Sequence, residues 1–130
     1  MVPIVALEPG LRAEVDLTVA DADTAIALGS GDVPVLGTPR VIALCEQATV
    51  TALVGSLEPG ATTVGMRVQV DHLAPTAVGV AVKAEAVIEK VEGKRITFTV
   101  SVHDPRGLIA AGKVTRVIVD RDRFLEKLNG

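Results

Sequence analysis

The sequence predicts an α+β chain, a single domain over residues 1–130 in which one long helix is wrapped by an antiparallel sheet. Three observations predict it. A strictly alternating segment opens the chain, a segment apolar nearly all round follows from Thr38 to about Leu57, and β-type segments joined by turns fill most of the rest. Strands that follow one another with a single helix give α+β, whereas strand and helix in alternation would give a parallel sheet.

From Leu11 to Val19, the residues Leu11, Ala13, Val15, Leu17 and Val19 share one face, and Arg12, Glu14, Asp16 and Thr18 share the other. This is a strand with one wet side. The stretch DADTAIALGSGDVPVLG mixes a short helical piece with the loop signals Gly29, Gly31, Pro34 and Gly37, and reads as a mobile connection or lid. Thr38 followed by Pro39 reads as a helix start, with Thr as cap and Pro at the first position. The helix runs to about Leu57, before Glu58-Pro59-Gly60, and its near-complete apolar circumference predicts burial on all sides.

Beyond it, Thr62 to Leu73 places Val64, Met66, Val68, Val70 and His72 on one face. Ala77 to Val91 does the same with Val78, Val80, Val82, Ala84, Ala86 and Ile88. A Glu92-Gly93 turn leads to Ile96, Phe98, Val100 and Val102, and Asp104-Pro105-Arg106-Gly107 turns into a last strand from Leu108 to Val119. Arg121 to Gly130 forms a short surface helix. Edge strands this long and rich in Val are sticky alone, so a homodimer pairing sheets edge to edge is expected.

Composition narrows the function. The chain is 48% apolar, has two Phe and neither Trp nor Tyr, and carries a net charge of -3. Stacking on bases and neutralising a nucleic-acid backbone are both disfavoured, though a few well-placed cations suffice for a phosphorylated ligand. A lone cysteine, Cys45, excludes an internal disulfide and fits a reduced, cytoplasmic setting. With two histidines, a Cys/His zinc cage cannot be built from one protomer, and neither a metal nor a cofactor is expected. MVPIVALEPG lacks a positively charged start, and no uncharged run approaches the length of a membrane span, so no membrane partner is expected.

Few residues are suited to chemistry. Glu46 sits near the middle of the apolar helix, where a carboxylate is costly unless paired or used. It either forms a narrow wet stripe with Gln47 or is a carboxyl raised in pKa by apolar surroundings for acid/base or nucleophilic work. His72 closes an apolar strand face, as a hydrogen-bonded core histidine or as the rim of a pocket. His103 shares the polar face with Thr97, Thr99 and Ser101 and reads as solvated. Thr38 is a cap, a hydroxyl at a helix N-terminus that favours developing negative charge, or both. Gly65 interrupts a strand, marking a bulge or a close approach, which a ligand carbonyl could make. Arg116 shares a face with Val114 and Ile118, as a salt-bridge partner or an inward cation. Neither a Gly-rich phosphate loop nor a Gly-x-Ser-x-Gly elbow occurs.

Val70 to Gly79, V-D-H-L-A-P-T-A-V-G, resembles the V-x-H-x-A-x-T-P-x-G signature of fluoroacetyl-CoA thioesterase-like hot-dog proteins. Gly37-Thr38 and Glu46 stand at that family's Thr-to-Glu spacing. Val91 to Arg95, Val102-His103-Asp104 and Gly112 to Arg116 resemble its later strands and turns, so the likeness spans roughly Leu11 to Phe124. The resemblance implies a dimeric hot-dog fold that hydrolyses a short or medium acyl-CoA thioester. Thr38, Glu46 and His72 would be its catalytic residues, and Gly65 and Arg116 would bind substrate. It leaves open whether Glu46 attacks, Thr38 is acylated, or water attacks directly. Two departures stand out: Ala77 replaces the signature proline, and the lid offers Gly29, Gly31, Asp32, Val33 and Leu36 where the fluoroacetyl-selective member has phenylalanines. Two other readings are a hot-dog dimer that binds acyl-CoA or a hydrophobic acid without turnover, and a hot-dog dehydratase or hydratase, whose His and Asp signatures are missing here.

Overall fold

The computed structural model describes residues 5–130, so the first four residues of the 1–130 chain and of its N-terminal stretch lie outside the description. Five strands form one antiparallel sheet: β1 (Arg12–Thr18), β2 (Ala61–His72), β3 (Ala81–Glu92), β4 (Arg95–Asp104) and β5 (Gly107–Asp120). Their spatial order is β1-β3-β4-β5-β2, which leaves β1 and β2 as the edges. The connection after β1 holds a single 3-10 turn and the four-residue helix α1 (Ala25–Leu28). The long helix α2 (Thr38–Ala52) lies on one face of the sheet, and α3 (Arg121–Glu126) caps the C-terminal end.

The alternation of β1 is as the sequence predicts, with Arg12, Glu14, Asp16 and Thr18 outward. On β3 and β4, Val82, Ala84, Ala86 and Ile88 face Ile96, Phe98, Val100 and Val102 in one buried layer against Val41, Leu44, Cys45 and Ala48 of α2. Small Ala on β3 beneath the helix lets the two layers approach, while Phe98 fills the middle. Val78 departs from the expected strand face. It lies in the loop before β3 and is 41% exposed.

Three features of α2 differ from the sequence reading. The helix stops at Ala52 rather than near Leu57, because the last amides turn to i−3 carbonyls, Leu53 to Val50 and Val54 to Thr51, and Gly55 then takes φ +84°. The N-cap is Gly37, with Thr38 the first helical residue, so the Thr38 hydroxyl is free of capping duty. Burial is also one-sided: Ala43, Gln47, Val50 and Val54 form an exposed stripe, with Val50 49% and Val54 73% exposed.

On β2 the single-face reading fails at a β-bulge between Gly65 and Arg67. Before it, Thr63 is the buried residue; after it, Val68, Val70 and His72 are partly buried, and Met66 at the bulge is exposed. Gly112 of β5 lies so near β2 that a Cβ there would stand 1.9 Å from the Gln69 carbonyl oxygen. Only a residue without a side chain permits that approach.

Candidate active site

The N-terminus of α2 meets the end of β2. Thr38 Oγ1 and His72 Nδ1 lie 2.8 Å apart in a hydrogen bond. Thr38 is brought there because Gly37 ends the lid and Leu36 donates its amide to the Thr76 carbonyl at 2.9 Å, tying the lid to the loop after β2. His72 is held by the strand itself, since the Leu73 amide just beyond it bonds to Ile109 at 2.7 Å. Burial pushes the imidazole pKa below its ordinary value, against a smaller opposing hydrogen bond at the Ala74 backbone. Its second nitrogen, Nε2, is buried without a hydrogen-bond partner.

These two residues open onto a cavity of about 310 Å³ whose other walls include Gly31, Val33, Leu36 and Pro75. No aromatic side chain lines it. A larger groove of about 520 Å³ between Lys94 and Phe124 contains none of the predicted site residues.

Glu46, Gly65 and Arg116 form a second cluster. Arg116, 7% exposed, donates from Nη1 to Glu46 Oε2 at 3.3 Å, from Nε to Thr63 Oγ1 at 2.9 Å and from Nη2 to the Thr63 carbonyl at 3.1 Å. Burial lowers the guanidinium pKa and Glu46 opposes that shift. Arg116 is thus both an inward cation and a salt-bridge partner, which joins the two readings left open by the sequence. Gly65 lies directly against the carboxylate. Thr63 escaped the sequence reading because regular alternation back from His72 puts it on the outer face; only the bulge turns it in.

Within one protomer the two clusters are separate. With the bulge counted out, Gly65 and His72 stand six ladder positions apart on β2, opposite Arg116 and Ala110, roughly 20 Å at strand rise. Eight residues of helix divide Thr38 from Glu46, about 12 Å along its axis. No hydrogen bond among the described residues joins Glu46 to Thr38 or His72; the chain brings Thr38 to His72 and Glu46 to Arg116 and Gly65. His103 is exposed, as expected. Among the described residues there is no metal-binding group of His, Cys, Asp or Glu, and no helix long and apolar enough to cross a membrane.

Comparison with known proteins shows the family. A family model described as fluoroacetyl-CoA-specific thioesterase matches residues 19–122. The fluoroacetyl-CoA thioesterase of Streptantibioticus cattleyicolor is 34% identical over 94 residues, covering 72% of this chain and 68% of that protein. A solved structure of the fluoroacetyl-CoA thioesterase FlK superposes with TM-score 0.90 at 29% identity, covering 96% of this chain and 97% of that one. A thioesterase-superfamily member from Thermus thermophilus does so with TM-score 0.87 at 27% identity, covering 99% and 93%. With a family model matched over residues 19–122 and a solved thioesterase superposing over 96% of the length, the chain belongs to the fluoroacetyl-CoA-specific thioesterase family and is a thioesterase of the hot-dog fold.

Proposed function

We propose that this thioesterase hydrolyses a short or medium acyl-CoA at composite sites in a homodimer. Each site joins Thr38 and His72 of one protomer to the partner's Glu46, Gly65 and Arg116. The observation that carries the reading is the Thr38–His72 hydrogen bond at the mouth of a cavity, with the other imidazole nitrogen buried and unpartnered. A hydroxyl bonded to an imidazole can give or take a proton at the edge of the space an acyl group would fill.

The homodimer is supported by the free edge of β2 and by the exposed Val50, Val54 and Met66 near it. Antiparallel pairing of two β2 edges, centred on Gln69 once the bulged Met66 is counted out, sets Gly65 of one protomer opposite His72 of the other. The separation of the clusters in one chain is thereby closed by its two-fold copy.

At such a site the N-terminus of α2 polarises the thioester carbonyl. Water adds to the carbonyl carbon, directed by Glu46 or after Glu46 or Thr38 has itself been acylated; the C–S bond breaks, and the sulfur of CoA leaves with a proton managed by His72. The products are the free acid and CoA. The lid's small side chains, Gly31 and Val33, leave room for an acyl group larger than fluoroacetyl.

Thiol release from a panel of acyl-CoAs, with Glu46→Ala as control, tests the activity. Saturable binding without release would instead favour a carrier, and loss of conjugation in an enoyl-CoA would favour a hydratase. Mixing His72→Gln and Glu46→Gln protomers tests the composite site. A heterodimer of the two restores one intact site of two, so random exchange recovers ~25% of parental activity. A verified heterodimer with no recovery would put both halves in one protomer.

A further inference from the structure

One buried carboxylate has no part in the chemistry described so far. Asp104, at the end of β4, has a side chain only 1% exposed. Its Oδ1 accepts the Arg106 amide at 2.8 Å, its Oδ2 accepts the Thr76 hydroxyl at 3.1 Å, and Arg106 Nη2 lies 3.5 Å from Oδ2. The same guanidinium donates to the Pro75 carbonyl. Burial raises the Asp104 carboxyl pKa, but the Arg106 amide, the Thr76 hydroxyl and the Arg106 charge outweigh it, leaving the group below the ordinary range.

The contact from Oδ1 to an amide two residues on is the common use of Asp in a turn. It does not account for Oδ2, which leaves the β4–β5 turn to hold a different loop. That loop is where the end of β2 meets the segment leading into α2. His72 stands four residues before Thr76. From the other side, the Leu36 amide bonds to the Thr76 carbonyl at 2.9 Å and Val35 bridges Ala77, two and three residues before Thr38.

We propose that Asp104 is a positioning residue for Thr38 and His72: its carboxylate fixes the Pro75–Thr76 loop, from which the strand end bearing His72 and the lid segment entering Thr38 both take their place. The hydroxyl and imidazole come from different elements, α2 and β2, whose other close contact, Glu46 against Gly65, lies far along both from the pair, so loosening the loop lets their 2.8 Å separation drift. Misplacement of reacting groups by about 1 Å can cost as much as ~100-fold in rate.

The consequence for rate rests on reading Thr38 and His72 as the reacting pair; the geometric claim does not. Thr76→Val removes one hydroxyl at constant volume, Asp104→Ala removes the carboxylate, and Asp104→Asn keeps its shape. The long-range 1H–15N spectrum of His72, one of two histidines and assigned with His103→Gln, is recorded beside kcat and KM with the best acyl-CoA of the panel. In Thr76→Val and Asp104→Ala the His72 ring signals should move toward those of a free imidazole. Over the same variants kcat should fall about 10- to 100-fold with KM little changed, and Asp104→Asn should recover part of both. A folded Thr76→Val with parental His72 signals overturns the proposal, even if Asp104→Ala proves too unstable to study. Shifted His72 signals with unchanged kcat would keep the clamp and reject the catalytic reading of the pair.

Discussion

Gly65 and Glu46 are in such close contact that a Cβ on residue 65 would stand 2.6 Å from Glu46 Oε2 and 3.7 Å from Arg116 Nη1. The glycine is therefore the seat of the carboxylate, and adding one methyl group there must displace it. Gly65→Ala should open the Glu46–Arg116 bridge, lower kcat about 10- to 100-fold and cost ~1–3 kcal/mol of stability. Kinetics and denaturant unfolding read the two effects separately.

Thr38→Ala separates the two uses of a Thr at a helix start. An N-cap hydroxyl is worth ~0.5–2 kcal/mol, but the cap here is Gly37 and the Thr38 hydroxyl bonds His72. The variant should lose less than ~0.5 kcal/mol of stability while kcat falls about 100-fold. Thr38→Ser, which keeps the hydroxyl, should retain most of the rate.

Burial holds the His72 pKa below the ordinary 6.5, so the imidazole is more fully neutral at pH 7 than a free one. The acid limb of kcat/KM should accordingly lie below pH 6.5. The same shift acts on stability. Below the unfolded value the unfolded chain takes up this proton more readily than the folded one, so stability falls as pH drops from 6.5 through the folded pKa. His72→Gln should flatten both slopes, as measured by a pH–rate series and by denaturant midpoints across the same range.

Cys45 is buried, and burial together with neighbouring Glu46 raises its thiol to about 11. Near pH 8 only ~0.1% is thiolate. The folded protein should therefore resist an aromatic disulfide reagent that titrates one thiol once denaturant is added.

The strands β3 and β4 and their inward faces were legible because Val82, Ala84, Ala86 and Ile88, and then Ile96, Phe98, Val100 and Val102, recur at every second position on either side of the Glu92-Gly93 turn. The end of α2 was not, since Leu53 and Val54 continue an apolar pattern that only Gly55 interrupts in space. Full burial of the helix was misjudged for a related reason. Val50 and Val54 read as core, and nothing local marks a valine that the rest of the chain leaves uncovered. As candidates, Glu46 and His72 were legible one by one as polar groups in apolar surroundings, and Thr38 as a hydroxyl at a helix start. Their grouping was not, because the Glu46–Arg116 pair spans 70 residues of sequence and its geometry depends on the bulge in β2.

That bulge has an arithmetic outcome. Gly65 and His72 are seven positions apart, an odd number, and in an uninterrupted strand they would project to opposite sides of the sheet. The irregularity at Met66 absorbs one residue and restores a common direction, so both ends of β2 look toward the helix. A strand that kept Met66 but took a regular pleat would have one of these two positions turned out of phase with the other, and the candidate site would lose half of its surface without losing a single polar side chain.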